Sequence, residues 1–277
     1  MKRRFKQPQF NSDTAVCISI AAKPGNFGAA FHNAAYQALG INWIYIPCKV
    51  ENFSKLEAAI NAVRALGIKG CGVSMPYKEK VIQYLDALDS SAKRTGCVNT
   101  IKRLKGGFLK GYNTDFYGAK KALEQAGISG REVLMIGAGG AARAIGLAVK
   151  ELGGRLTIVN RTYGKAEELG RQLKAAVLPW EEIAGARGRL LINATSVGMR
   201  DPMTMVVPKE VIAGFEVVKD AVIYPKQTRL LREAQRMGKE IIPGTLMCAY
   251  QAARQFNIYT GLAAPGELIA RMLRWEN

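Results

Sequence analysis

The stretch Val133-Leu-Met-Ile-Gly137-Ala138-Gly139-Gly140-Ala141-Ala142, continued at Ile158-Val-Asn160-Arg161-Thr162, decides the fold. Val133 to Ile136 is an apolar run of the kind a buried parallel strand requires, and the glycines behind it turn the chain directly into a helix. In that pattern Gly137 permits the tight turn, Gly139 lets a pyrophosphate approach the backbone, and Ala142 keeps helix and strand close. The amides of the helix start then face the phosphates, which makes Gly137, Ala138, Gly139, Gly140 and Ala141 a candidate dinucleotide cradle. A glycine-rich turn of this type also occurs with no ligand, so the next strand end carries the decision. A site for NAD places Asp or Glu there, about 20 residues on, against the ribose 2′-hydroxyl. Here the position is Asn160, followed by Arg161, Thr162 and then Lys165. A carboxylate would repel a 2′-phosphate, whereas a guanidinium pairs with it, so the cofactor expected is NADP.

Working outward, 277 residues suffice for two domains with cores of their own, and 48% hydrophobic residues make the chain globular. No apolar run approaches the roughly 20 residues of a membrane span. The basic start Met1-Lys-Arg-Arg-Phe-Lys and the apolar Thr14 to Ala22 mimic a signal peptide, but the polar stretch Gln7 to Asp13 separates them, and Ala15 to Ile20 reads as a first buried strand. A cytoplasmic protein is expected. Cys17, Cys48, Cys71, Cys97 and Cys248 are odd in number and widely spaced, which favours free thiols over disulfides or a metal site. With His32 the single histidine, a Ser-His-Asp mechanism is unattractive and acid–base chemistry falls to Lys, Asp, Glu, Tyr or Cys. The net charge of +18 suggests nucleic acid, yet the basic residues are scattered and accompany no recognition motif. A phosphorylated cofactor and an anionic substrate account for part of that excess.

Two βα patterns follow one another. Strands at about 14–20, 42–47 and 70–74 alternate with helices at about 29–40, 54–66 and 77–87, and residues 97–111 read as a β-hairpin around Leu104-Lys-Gly-Gly. A helix from about Tyr117 to Gln125 leads to Gly127. Strands near 132–136, 155–160, 189–193, 217–222 and 239–242 repeat the alternation, and 244–276 reads as two helices broken at Gly261 to Pro265. The fold class expected is α/β: a mostly parallel N-terminal sheet domain of residues 1–113 and 245–277, a Rossmann-type NADP-binding domain of 114–244, and a cleft between them.

Two polar segments stand out in these apolar surroundings. In Gly72-Val-Ser74-Met-Pro76-Tyr-Lys78 the spacing predicts that Pro76 opens a helix with Lys78 in its first turn, where the helix dipole would lower the lysine pKa and suit it to proton transfer, the alternative being a lysine that merely faces solvent. In Gly111-Tyr-Asn113-Thr114-Asp115 the aspartate reads first as a helix N-cap and second as a carboxylate turned into the cleft.

The chain resembles the shikimate dehydrogenase family along nearly its whole length, in order and spacing, through nine segments. They are His32-Asn33, Val73 to Lys78, Cys97-Val-Asn99-Thr100, Gly111 to Asp115, the glycine loop, Asn160-Arg161-Thr162, Asn193 to Met199, Thr228-Arg-Leu-Leu, and Gly244-Thr-Leu-Met247 through Gln251 to Gly261. The resemblance implies that Lys78 and Asp115 form a catalytic pair, Lys78 transferring the proton and Asp115 holding it, while NADP takes hydride from the same carbon. It implies that Ser74, Asn99 and Gln251 hold substrate hydroxyls. Thr195, Ser196, Gly198, Met199, Gly244 and Met247 are implied to line the nicotinamide side.

The match departs from the family at the substrate's carboxylate. Where the family has Ser-x-Ser before His-Asn, this chain has Asn26 and Gly28, and where it has a tyrosine three residues after the aspartate, this chain has Ile223, with Tyr224 one residue late. That pattern is similar to the divergent shikimate dehydrogenase-like subgroup. The function expected is interconversion of shikimate and 3-dehydroshikimate, or of a related ring polyol acid, as in aromatic amino acid biosynthesis. Asn26 replaces a serine as a carboxylate donor, no metal is expected, and the protein is a monomer or homodimer. Quinate or aminoshikimate dehydrogenation is the alternative within the lineage; a non-catalytic NADP- or nucleic-acid-binding protein is the alternative outside it.

Overall fold

The computed structural model describes residues 10–273, so the basic cluster Met1 to Lys6 and the last four residues lie outside it. Two six-stranded sheets organise the chain. The first contains β1 (Ala15–Ala21), β2 (Trp43–Lys49), β3 (Gly70–Val73), β4 (Ala87–Leu88), β5 (Thr100–Arg103) and β6 (Leu109–Tyr112), in the order β2-β1-β3-β5-β6-β4. β1 pairs in parallel with β2 and β3, and β5 runs antiparallel to β3 and β6. The β5–β6 hairpin expected around Leu104 is present, its turn made by Gly106 and Gly107 at positive φ (73° and 84°), where a side chain would be strained. Helices α1 (Phe27–Ala38), α2 (Leu56–Ala65) and α3 (Ser90–Thr95) accompany this sheet.

The second sheet is parallel throughout: β7 (Glu132–Ile136), β8 (Arg155–Val159), β9 (Ala176–Val177), β10 (Gly188–Asn193), β11 (Phe215–Asp220) and β12 (Glu240–Ile242), in the order β12-β11-β10-β7-β8-β9. Around it lie α4 (Thr114–Leu123), α5 (Gly140–Glu151), α6 (Tyr163–Leu173), α7 (Lys209–Ala213), α8 (Arg229–Arg236) and α9 (Gly244–Thr260), followed by α10 (Gly266–Leu273). Both faces of the sheet are covered. Met135, Ile158 and Ile192 pack with residues of α4, α5 and α9 on one face, while Leu134, Ile136, Leu191 and Val218 pack with those of α7 and α8 on the other. That is why Val133 to Ile136 is an unbroken apolar run instead of an alternating one. Strand order reverses between β7 and β10, so a crevice opens at their carboxyl ends, which is where an α/β sheet takes its ligand.

α9 ties the two sheets together. Ala249, Ala252 and Phe256 on one of its faces enter a core with Cys17, Phe31 and Tyr45, while Met247 enters the core of the second sheet. It also crosses α4 at Gly118, where a Cβ would lie 2.4 Å from the Met247 carbonyl oxygen and 2.9 Å from Gln251. No described helix is long and apolar enough to cross a membrane.

Three sequence expectations are corrected. No helix starts at Pro76: Tyr77 turns fully into the core, donates its hydroxyl to the Val50 carbonyl at 2.7 Å, and only a 3-10 turn over Lys80–Tyr84 follows. The helix expected from Tyr117 starts at Thr114 because Asn113 caps it. β4 and β9, two residues each, are too short to show a period and escaped the sequence reading.

Lys219 on β11 is fully buried, and its ammonium has no hydrogen-bond partner among the described residues. Burial pulls its pKa down to about 8, partly offset by the adjacent Asp220. A base whose folded pKa lies below its unfolded value costs stability below the folded pKa, and that cost is relieved as pH rises toward the unfolded value. Lys219→Met is expected to flatten the rise in stability between pH 8 and 10, which a denaturant series at several pH values reads. Gly118→Val is expected to cost about 1–3 kcal/mol by overpacking the α4–α9 crossing, seen as a fall of several degrees in Tm.

Candidate active site

Lys78 follows β3 on a segment held from both sides. Tyr77 is anchored in the core, and the Lys78 carbonyl accepts from Val98 N at 2.8 Å. Its ammonium therefore leaves the backbone at a fixed point and reaches Asp115 Oδ2 at 2.6 Å, both side chains being largely screened from solvent. Asp115 is the second residue of α4. The capping role first assigned to it belongs to Asn113, whose Oδ1 accepts from Phe116 N at 3.0 Å and whose Nδ2 donates to Thr95 Oγ1 and the Cys97 carbonyl. Asp115 is thereby free to turn to Lys78, in the first helical turn where a carboxylate is favoured.

The pair corrects the expected direction of the lysine pKa. Burial pushes the Lys78 pKa down, but the charge and hydrogen bond of Asp115 outweigh it, and the net shift is upward. The helix dipole invoked from sequence plays no part, since no helix begins at Pro76. Lys78 is an ammonium at neutral pH, ready to give a proton. Cys97 and Cys248 lie close enough to interact electrostatically with the pair, and burial pushes both thiols up, Cys97 to about 11. They stand beside it as neutral thiols.

A buried polar network continues from the pair, and the sequence reading missed most of it. Asn99 Oδ1 accepts from Thr114 N (2.8 Å), Thr114 Oγ1 (3.1 Å) and Thr100 Oγ1 (2.8 Å). Gln251 Nε2 donates to Thr114 Oγ1 at 3.0 Å, and Gln255 Nε2 to Thr100 Oγ1 at 2.9 Å. With Oδ1 so occupied, Asn99 keeps its Nδ2 donors for something else. Gln255 Oε1 meets His32 Nε2 at 3.0 Å; burial draws the His32 pKa down to about 4, so this histidine is a neutral part of the scaffold, stacked on Tyr45. Gln255 was findable, since it lies one helical turn beyond Gln251. Ser74 and Asn26 are exposed, and Asn26 makes no side-chain cap to α1. A Cβ at Gly28 would touch the Tyr45 ring at 3.4 Å. Ile223 and Tyr224 are exposed on the loop behind β11.

The glycine loop satisfies what a pyrophosphate requires. Gly137 has φ 117°, and a Cβ there would lie 3.0 Å from the Ala194 backbone and from Thr195. At Gly139 and Gly140 a Cβ would meet nothing within 4 Å, so the start of α5 lies open with its first amides unshielded. Ala138 and Ala141 pack against the core beneath. β8 runs parallel beside β7, which carries Asn160, Arg161, Thr162 and Lys165 to the same edge. Asn160 Nδ2 fastens to the Thr162 carbonyl at 2.9 Å, and Arg161 and Lys165 are exposed. On the other side, Asn193 Oδ1 accepts from both Thr195 N and Thr195 Oγ1, fixing the turn that presents Ser196 and continues through Gly198 (φ 91°) to Met199. Gly244 is required by closeness, because a Cβ would lie 2.2 Å from the Val222 carbonyl. Met247 is not laid open on the cleft; it packs into the core of the second sheet.

Residues 27–101 match a family described as the shikimate dehydrogenase substrate binding domain, and residues 118–204 match shikimate / quinate 5-dehydrogenase. The chain is 37% identical over 265 residues to a shikimate dehydrogenase-like protein of Haemophilus influenzae, covering 94% of this chain and 96% of that protein. It is 41% identical over 245 residues to a shikimate dehydrogenase (NADP(+)) of Pyrococcus abyssi, with 87% and 90% covered. The shikimate 5-dehydrogenase of Thermus thermophilus, solved with NADP(H) and shikimate, superposes with a TM-score of 0.85 at 32% identity over 94% of this chain and 98% of that one.

Asp115→Asn removes the charge that holds the Lys78 pKa up and leaves the burial that lowers it. The Lys78 pKa is expected to fall by one unit or more, on the scale of a neighbouring opposite charge, and a pH titration of Lys78 by NMR with labelled side-chain nitrogen measures the change.

Proposed function

The chain belongs to the shikimate dehydrogenase family, and on that premise we propose that it oxidises a ring hydroxyl of shikimate, or of a closely related cyclic polyol acid, with NADP as hydride acceptor. The observation that carries the reading is the Lys78–Asp115 pair at 2.6 Å. It gives one polar group able to move a proton and a second that keeps it charged and in place. In this reading residues 1–113 and 245–277 form the substrate-binding unit and 114–244 the cofactor-binding unit, and five free cysteines fit a cytoplasmic location.

The cofactor's chemistry is to accept or return hydride at its nicotinamide ring. The residues that would hold it are the open amides at Gly139 and Gly140 for the pyrophosphate, Arg161 and Lys165 for the 2′-phosphate, and the Thr195 to Met199 turn with Gly244 for the nicotinamide side. In the reducing direction Lys78 Nζ gives its proton to the carbonyl oxygen as it becomes a hydroxyl. In the oxidising direction the same nitrogen must first lose a proton and then take one from the hydroxyl, with Asp115 stabilising the ammonium that results. Asn99 Nδ2, Ser74 and Gln251 would hold the neighbouring hydroxyls and fix which ring carbon faces the hydride acceptor.

The carboxylate end is weaker than in the family's Ser-x-Ser pattern. Asn26 can donate, Gly28 offers only its backbone, and Ile223 offers nothing; each lost donor to a buried anion costs about 1–3 kcal/mol. Weaker binding of shikimate, or a different ring polyol acid, follows from those three positions, and quinate or an aminoshikimate is the alternative within the same lineage. A purely NADP-binding or nucleic-acid-binding role is disfavoured, because a partly buried, hydrogen-bonded ion pair in the cleft serves neither.

NADP+ reduction measured over shikimate, quinate and their amino analogues, with NAD+ in parallel, tests the assignment. Turnover with NADP+ on at least one acid is expected, increasing with pH into the alkaline range because Lys78 must shed a proton that Asp115 retains. Lys78→Ala is expected to lower kcat by at least about a hundredfold while NADPH binding stays within about twofold; retained turnover would remove Lys78 from the mechanism.

A further inference from the structure

Arg143 is the fourth residue of α5, one turn behind the glycine loop, and its side chain is mostly buried. It touches three residues on two segments. Nη1 donates to Gln172 Oε1 on α6 at 2.8 Å, Nη2 lies 3.5 Å from Glu168 on the same helix, and Nε lies 3.8 Å from Glu79 Oε1. Glu79 directly follows Lys78, so this last contact joins the proton-transferring segment to the helix that would carry the cofactor's pyrophosphate. At 3.8 Å it is an ion pair without a hydrogen bond, and Nε is buried with no hydrogen-bond partner among the described residues. An unsatisfied buried donor facing a carboxylate about 0.9 Å too far away is a contact waiting to close.

The other end of α5 is already fastened. Glu151, its last residue, is hydrogen-bonded to Arg94 of α3 and to Lys120 of α4 (2.9 Å). Eight residues separate Arg143 from Glu151, a lever of about 12 Å. Closing 0.9 Å at the far end is then a rotation of roughly 4°, a motion well within what packed helices accommodate.

We propose that Arg143 and Glu79 form a clasp that closes when the dinucleotide binds, drawing the Lys78 segment onto the glycine-loop helix and setting the distance between the Lys78 ammonium and the hydride-accepting ring. Arg143 is a positioning residue, acting through Glu79 on Lys78; this rests on the reading of Lys78 as the proton-transferring group. Gln172 and Glu168 hold the guanidinium on its cofactor-side helix, so that only the Glu79 contact changes.

Two measurements test the clasp. In steady-state kinetics on whichever acid the wild type turns over, Glu79→Gln and Arg143→Gln should each lower kcat about tenfold, a loss on the scale of a small misplacement, with the Kd for NADP+ within about twofold. The double variant should be no slower than either single one, and Glu79→Asp should recover part of the rate. In hydrogen–deuterium exchange, NADP+ should slow exchange across residues 75–82 in the wild type and should fail to do so in Glu79→Gln even though the nucleotide still binds. An unchanged kcat, or a tenfold weaker NADP+ with kcat kept (a guanidinium serving a cofactor phosphate instead), would overturn the proposal, as would wild-type protein in which NADP+ leaves that segment's exchange unaltered. If no polyol acid is turned over, the assigned reaction fails while the exchange measurement still decides the clasp.

Discussion

An ammonium largely screened from water keeps its full charge at neutral pH when a carboxylate is held at hydrogen-bond distance, and that constraint organises the site. Lys78 and Asp115 come from different segments, one behind β3 and one at the start of α4, and each is placed by neighbours with no chemistry of their own. Tyr77 buries itself so that Lys78 must leave the core at one point. Asn113 takes over the cap of α4 so that Asp115 is released from it. Gly118 then lets α9 approach α4 closely enough for Gln251 to reach Thr114, and through Thr114 the network that aims Asn99. The pair keeps its charge because these supports hold it at hydrogen-bond distance.

The parts of the molecule that were legible in the sequence are those where one local requirement dominates. The glycine loop was readable because a strand buried on both faces leaves a continuous apolar run, and the turn behind it needs a glycine at positive φ. The β5–β6 hairpin was readable from its glycines. The segment behind β3 misled because Pro76 is a good first residue of a helix, whereas the tertiary burial of Tyr77 outweighs that preference. The same misplacement gave Lys78 a helix dipole it does not have, and the wrong sign for its pKa. Asp115 as N-cap was a reasonable local choice with a competing Asn two residues earlier, and only the structure ranks the two. The bonds that join His32, Thr100, Thr114 and Gln255 were obscure for another reason. These bonds span more than 200 residues of chain, and although Gln255 is one turn from Gln251, no spacing rule links it to His32.

The chain's departures from its family lie at one end of the site. The Lys78–Asp115 pair, the network through Asn99 and Gln251 and the glycine loop are all formed, while Asn26, Gly28 and Ile223 stand where the family pattern has Ser, Ser and Tyr. The first group is screened from solvent and mutually supporting, whereas Asn26 and Ile223 are exposed and Gly28 is half-buried, so the second group can change with less disturbance to the fold. Arg143 is mostly buried at the start of α5, and the exposed Glu79 is the residue through which it meets the Lys78 segment.

The most direct measurement of the central claim is a crystal structure of the protein with NADP+ and the best acid from the turnover screen. The account predicts the reacting hydroxyl oxygen within about 3.2 Å of Lys78 Nζ and of an Asp115 carboxylate oxygen, with the nicotinamide ring on the opposite face of the same carbon. An oxygen more than about 5 Å from Lys78, or the two side chains parted and turned to bulk water, would contradict it.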